Sequence, residues 1–235
     1  MSKKLSDFAV TKRWPARHPD RIQLYSALTP NGVKASIALE ETGLPYEAHY
    51  VDISKNETWN DDFLQLNPNG KIPAIIDPSG PDGGAFPLFE SGAILVYLAE
   101  KSGKLLPKEP ARRYETLQWM FFQAGHVGPM FGQVGFFHKF AGREYEDKRP
   151  LHRYRDESIR LLGVLEKRLT GRQWIMDDDY TIADVQTFPW VRNMRGFYEA
   201  GELLGLHNFP KTLEWVDRAA ARPASVKGLE TPARG

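Results

Sequence analysis

The stretch "NGKIPAIIDPSGPDGGAFPLFESGAILVYLAEKSG", Asn69 to Gly103, decides the fold. Lys71–Ile76 is apolar and branched, which predicts a strand. Asp82-Gly83-Gly84 predicts a turn, and Pro87-Leu88-Phe89 a short strand after it. Two strands joined by such a turn form an antiparallel hairpin. Ser91 then opens a helix with Ile94, Leu95 and Leu98 on its inner face, closing near Gly103.

Upstream, Ile22–Tyr25 alternates as a first strand and runs into the polar turn Thr29-Pro30-Asn31-Gly32. Val33, Ile37 and Ala38 share one face of a helix that Gly43 and Pro45 close. Tyr46-Ala48-Tyr50 alternates with Glu47-His49-Val51 as a second strand. Strand, helix and strand this close together imply a right-handed crossover and a parallel pair. Asn56–Leu66 is polar and has room for a short helix. The order βαβ, link, ββα over residues 21–104 is the thioredoxin-like arrangement, an α/β domain. Residues 1–20 read as an irregular arm, either anchored by Phe8 and Trp14 or mobile. Residues 105–110 form a Pro-punctuated linker. Beyond it strand signals stop, and 112–123, 151–170, 181–198 and 211–221 read as helices. The expected architecture is therefore α/β plus all-α, with a helical domain over 111–235.

The chain of 235 residues has a net charge of +1, so no global field attracts nucleic acid or an acidic membrane. No apolar run is long enough to span a bilayer. No apolar stretch follows Lys3 and Lys4, which argues against a secretory signal. Cysteine is absent, which excludes disulfides, Cys-ligated zinc and a cysteine nucleophile, and fits a cytoplasmic protein. His126 and His138 form no close ligand set, so no metal is expected.

Pro73 stands inside a strand-forming run, although proline cannot donate to a ladder. Either it is an ordinary trans proline at a strand start, or a cis Ile72-Pro73 bond turns the Ile72 backbone outward to pair with an extended peptide. Glu90 and Ser91 precede a helix whose first N–H groups lack internal partners and carry partial positive charge. Ser91 either caps its own helix beside a solvated Glu90, or the pair holds the carboxylate and ammonium of one α-amino acid head group.

"NGKIPAI" followed by "FESGAILVYLAEK", before a helical second half, resembles the cytosolic glutathione transferases. "TIAD", Thr181–Asp184, matches that family's capping motif in the second domain, with Thr181 as cap and Asp184 reaching back. The resemblance covers about Ile22 to Pro223. "LTPNG", "LQWMFFQ" and "GPMFGQ" look like the nu class, whose members are bacterial homodimers that reduce disulfides with glutathione. Some hold two glutathiones, or glutathione disulfide, in each site. The resemblance implies that Ile72, before cis Pro73, pairs with the cysteinyl backbone of glutathione. Glu90 and Ser91 would hold its γ-glutamyl amine and carboxylate, and Thr29 and Asn31 would donate to its sulfur. Lys71 and Asn69 lie beside the peptide. Thr58 stands where relatives often carry a glutamine contact, and Arg153 or Arg160 offers a cation to a glutathione carboxylate. Tyr25 is placed in the core. Phe121, Phe131, Phe136 and Phe137 are candidates for a second wall, against a core role for Trp119, Phe121 and Phe122.

These implications point to an enzyme whose thiol arrives with its substrate. Hydrogen bonds and a helix N-terminus lower a thiol pKa, and the thiolate is the nucleophile. The expected partners are glutathione, reduced or as the disulfide, and a small disulfide. Conjugation to electrophiles is the alternative within enzymes. A non-catalytic glutathione-binding regulator, for which a fungal nitrogen regulator is the precedent, is the alternative outside them.

Overall fold

The computed structural model describes residues 3–233. It divides into two compact units, Met1–Lys104 with Pro223–Gly235, and Leu105–Arg222.

The first unit is built on a four-stranded sheet of order β2-β1-β3-β4. β1 (Ile22–Ser26) pairs in parallel with β2 (Tyr46–Tyr50) and antiparallel with β3 (Ala74–Asp77), which pairs antiparallel with β4 (Phe86–Phe89). The parallel crossover and the hairpin are those the pattern predicts. β3 starts later than Lys71 because Pro73 has no N–H for the ladder. β1 differs from a half-buried alternating strand: all five of its residues are buried, as suits a central strand covered on both faces. Its polar Gln23 is satisfied. The amide donates to the carbonyls of His18 and Arg21 at 3.0 and 2.8 Å, and its oxygen lies 2.8 Å from His49 Nε2.

The N-terminal arm is not irregular. After a 3₁₀ turn at Leu5–Asp7, helix α1 (Val10–Arg13) buries Val10. Phe8, Val10 and Trp14 pack into a cluster with Tyr25, Phe63 and Ile76. The Lys3 carbonyl accepts from Ala85 N at 2.7 Å. Apolar burial against the sheet therefore anchors the arm. α2 (Gly32–Thr42) follows β1, α3 (Asp61–Leu66) lies between β2 and β3, and α4 (Ser91–Ser102) follows β4.

The second unit is helical. Glu109 caps α5 (Pro110–Phe122), its carboxylate accepting from the N–H groups of Ala111 and Arg112. A π-helical turn at Gln123–Val127 leads into α6 (Gly128–His138), and α7 (Arg149–Leu169), α8 (Ile182–Arg195), α9 (Gly201–Leu204) and α10 (Pro210–Ala220) complete it. The sequence reading finds no helix at 128–138, because four glycines and a proline, Gly125, Gly128, Pro129, Gly132 and Gly135, break the pattern around it. Packing overrides propensity there: a Cβ on Gly135 would run into the Tyr198 ring, so glycine lets helix and ring meet. Phe131 is fully buried in this unit and is no wall residue, whereas Phe121 is 74% exposed and is not core. The capping motif forms as expected. Thr181 Oγ1 accepts from Ala183 N at 3.2 Å, and Asp184 accepts from Thr181 N at 2.9 Å. Asp184 is fully buried and also accepts from Ile175 N and Trp215 Nε1, both at 2.9 Å. Burial lifts its carboxyl to about 6 against the pull of those donors.

The chain after Arg222 departs from the expected helical domain and belongs to the first unit. α11 (Pro223–Gly228) packs on α2. Ser36 donates to the Gly228 carbonyl at 2.6 Å and Lys227 pairs with Glu40 at 2.9 Å. A Cβ on Gly228 would lie 2.7 Å from Ile37 backbone atoms, so the two helices touch because residue 228 is glycine.

Two stability outcomes follow. Gly228→Ala should cost about 1–3 kcal/mol by overpacking, read as a lower urea midpoint with an unchanged slope. Asp184→Ala leaves three buried N–H donors without their acceptor at about 1–3 kcal/mol each, so its loss should be the larger.

Candidate active site

One cleft of about 230 Å³ lies in the first unit, lined by Asn31, Asn67, Asn69, Lys71, Ile72, Pro73, Glu90 and Ser91. That is below the roughly 300–1,000 Å³ of pockets that enclose a whole drug-sized ligand, so it suits part of a ligand lying along an edge. Seven residues picked out from the sequence, Asn31, Asn69, Lys71, Ile72, Pro73, Glu90 and Ser91, come together there.

Each wall has a local cause. The Ile72-Pro73 peptide is cis, and Ile72 precedes the paired register of β3. The loop before it is shaped by Asn67, which is buried: its amide donates to the Lys71 carbonyl at 2.6 Å and its oxygen accepts from Asn69 N at 3.0 Å. Glu90 is exposed and caps α4 with φ 70°, a left-handed conformation that costs a non-glycine residue on the order of 1–3 kcal/mol and is concentrated at functional sites. Ser91, the first residue of that helix, is buried.

At the opposite wall, Asn31 caps α2. Thr29 sits just before it and does not line the cleft. Its Oγ1 accepts from Gly32 N at 3.0 Å and its carbonyl from Val33 N at 3.0 Å, so it sets the start of α2. Gly32 is required by the same turn, since a Cβ there would strike the Ala27 carbonyl.

Sequence reading missed Lys34. Its side chain is only 1% exposed, and its ammonium donates to Asn31 Oδ1 at 2.8 Å and lies 3.4 Å from Ser91 Oγ. Burial pushes its pKa well below the ordinary lysine value, and the Glu90 carboxylate opposes that. The signal was present: at helical spacing Lys34 falls between Ile37 and Ala38 on the face read as core. Asn67 was also missed, since only its effect on the loop, not a motif, reveals it.

Other expected residues stand elsewhere. Thr58 is 4% exposed within the 3₁₀ turn Glu57–Trp59 and does not line the cleft. That turn directs Thr58 inward and leaves Trp59 59% exposed. Arg160, on α7, is exposed and engages Glu157 through Nε and a terminal nitrogen at 2.9 and 2.6 Å; Arg153 approaches the same carboxylate at 3.9 Å. Tyr25 is a core residue, stacked on His49 with ring centroids 4.9 Å apart and edge-on to Trp14, and burial raises its hydroxyl pKa. Among the described residues no cluster of three His, Asp or Glu is placed to hold a metal, and no helix is long and apolar enough to cross a membrane.

The family model for the glutathione S-transferase N-terminal domain matches residues 21–100, and that for the C-terminal domain matches 128–223. This chain belongs to the glutathione S-transferase family. A similar curated relative is the disulfide-bond oxidoreductase YfcG of Escherichia coli, 42% identical over 88% of this chain and 94% of its own length. A glutathione transferase from Burkholderia graminis, solved with two glutathione molecules bound per subunit, is 62% identical with a TM-score of 0.97, covering 100% of this chain and 98% of the other. One from Pseudomonas putida, solved with one glutathione disulfide bound per subunit, is 57% identical with a TM-score of 0.96, covering 98% and 100%. The cleft of this glutathione S-transferase family member gathers the Asn31, Ile72-Pro73 and Glu90-Ser91 segments on which the resemblance was built.

Proposed function

We propose that the protein binds glutathione along the Ile72 edge of this cleft and uses its thiolate to reduce small disulfides. The observation that carries the reading is the convergence of Asn31, cis-linked Ile72 and the Glu90-Ser91 helix start in one cleft of a chain without cysteine. The disulfide-bond oxidoreductase relatives and the glutathione-bound neighbours support it.

The roles follow from charge and position. Ser91 and the partial positive charge at the start of α4 suit the γ-glutamyl carboxylate, and exposed Glu90 suits its ammonium. The Ile72 backbone suits the cysteinyl unit in the manner of an added strand. That places the sulfur towards Asn31 and the start of α2. Thr29, whose Oγ1 already accepts from Gly32 N, retains its hydroxyl proton as a donor in that direction. A thiolate held there attacks one sulfur of the substrate disulfide, forming a mixed disulfide and expelling the other sulfur as thiolate. A second glutathione thiolate attacks the glutathione sulfur of that mixed disulfide. It releases the remaining substrate thiolate and glutathione disulfide. Two glutathiones supply the two electrons. The nu-class assignment, a homodimeric state and a cytoplasmic location belong to this reading as well.

Thr29→Ala with Asn31→Ala should leave the circular dichroism spectrum unchanged. Turnover of hydroxyethyl disulfide should fall about a hundredfold to ten-thousandfold, since two hydrogen bonds to a charged group are lost at roughly 1.5–3 kcal/mol each. Unchanged turnover would refute the assignment. A second reading, conjugation of glutathione to electrophiles, draws on fission-yeast relatives that are named glutathione S-transferases and are 37% identical. High turnover of an aryl halide with none of a disulfide would favour it.

A further inference from the structure

We propose that Lys34 is a positioning residue that sets the hydrogen-bonding polarity of both ends of the cleft, turning the donors of Asn31 and Ser91 towards glutathione. The inference rests on the glutathione reading above and assigns a role to a residue outside the cleft lining.

The geometry is specific. An ammonium group carries three donors and no acceptor. With Lys34 Nζ 2.8 Å from the side-chain tip of Asn31, the amide must present its oxygen to the lysine. The NH₂ group of Asn31 is then directed away from Lys34, on the side of a residue that lines the cleft. The same ammonium lies 3.4 Å from Ser91 Oγ. A hydroxyl that accepts from lysine keeps its own proton for another acceptor. Thus one buried cation, behind the cleft, biases two lining residues towards donating. A thiolate at the α2 end and a carboxylate at the α4 end each require donors. The thiol proton leaves to solvent, and the sulfur remains as thiolate beside a fixed N–H donor.

The surroundings of Lys34 make a charge there costly: burial pushes its pKa well below the ordinary lysine value, and the Glu90 carboxylate opposes that. Elements packed on α2 bring few charges. Glu90, at the head of α4, is the carboxylate coupled to it; Lys227 of α11 is held by Glu40; Tyr25 of β1 is packed against Trp14 and His49. Desolvation of the ammonium exceeds what Glu90 returns, since burial is the larger influence on its pKa. A methionine of similar length would fill the site without that cost, and buried charges replaced by apolar residues are often neutral or stabilising for the fold. Packing alone therefore does not explain a lysine here.

The test titrates the ultraviolet thiolate absorbance of protein-bound glutathione against pH in wild type, Lys34→Met, Lys34→Gln, Asn31→Ala and the Lys34→Met/Asn31→Ala double variant. Lys34→Met should stay folded, raise the bound-thiol pKa by about one unit (tenfold less thiolate below that pKa), and raise KM for glutathione several-fold. Lys34→Gln, whose amide still donates to Asn31, should recover part of the shift. In the Asn31→Ala background Lys34→Met should add little to the thiol shift. An unchanged bound-thiol pKa in folded Lys34→Met overturns the inference, and so does a shift undiminished in the Asn31→Ala background. If Lys34→Met fails to fold, Lys34→Gln in both backgrounds carries the same readouts; failure of both to fold makes the lysine structural and overturns the inference. A wild type that binds no glutathione overturns the glutathione reading itself, and this inference with it.

Discussion

Everything at the cleft depends on one register in the sheet. Ala74, the first residue of β3, pairs with Tyr25 near the end of β1 and with Phe89 at the end of β4. Three chain segments therefore meet at one end of the sheet. The β1 strand leaves it towards Thr29 and Asn31, Ile72 and Pro73 enter it, and β4 leaves it into Glu90 and Ser91. Because strands β1 and β4 both end there, the helices that follow them both begin there. Two helix N-termini, each carrying partial positive charge, face one short edge of backbone. A one-residue slip of β3 would send its inward side chains to the other face and carry Ile72 out of line with both helix starts.

That convergence creates an electrostatic problem which Lys34 and Glu90 answer together. Two helix starts and an ammonium repel one another unless an anion is near. In the protein by itself the nearby anion is Glu90, whose exposed carboxylate acts on Lys34. An incoming thiolate and carboxylate supply further negative charge. The site is thus arranged for anions before they arrive, which is the preorganisation that makes fixed dipoles effective in a partly dry cleft. Ionic links elsewhere in the chain, such as Arg160–Glu157, lie on exposed surface and contribute little by comparison.

Much of this was legible in the sequence. The parallel crossover and the hairpin follow from period and turn chemistry, and the capping role of Thr181 and Asp184 and seven of the cleft residues from motifs and the family resemblance they carry. What escaped has a physical reason in each case. α6 was hidden because the reason for one of its glycines, Gly135, is the Tyr198 ring, a partner distant in sequence. The anchoring of the arm by Phe8 and Trp14, one of its two readings, holds, while the short helix α1 and the placement of α11 escaped because short segments carry no period. The burial of Thr58 was not legible because the inward or outward sense of a 3₁₀ turn is set by its neighbours. Lys34 was passed over because a charged residue on an apolar helical face reads as a boundary of that face, and only the structure shows that the charge itself is buried.

The choice of donors also bears on which thiol chemistry the cleft suits. Lowering a thiol pKa increases the thiolate fraction but weakens each thiolate as a nucleophile, so exchange is fastest when the pKa lies near ambient pH. A site with a stronger activating group would gain thiolate and lose reactivity. On the proposed reading, neutral donors such as the Asn31 amide and the Thr29 hydroxyl would give a moderate shift, with Lys34 acting through Asn31. In disulfide exchange the same sulfur is nucleophile in one step and the sulfur under attack in the next. A fixed donor at that point serves the first step directly. It does not oppose the second, because the sulfur being attacked carries no charge. The leaving thiolate forms on the substrate side, where its own pKa governs departure. The cleft therefore needs to manage one sulfur at one position, and the convergence at the end of β1, β3 and β4 provides that position.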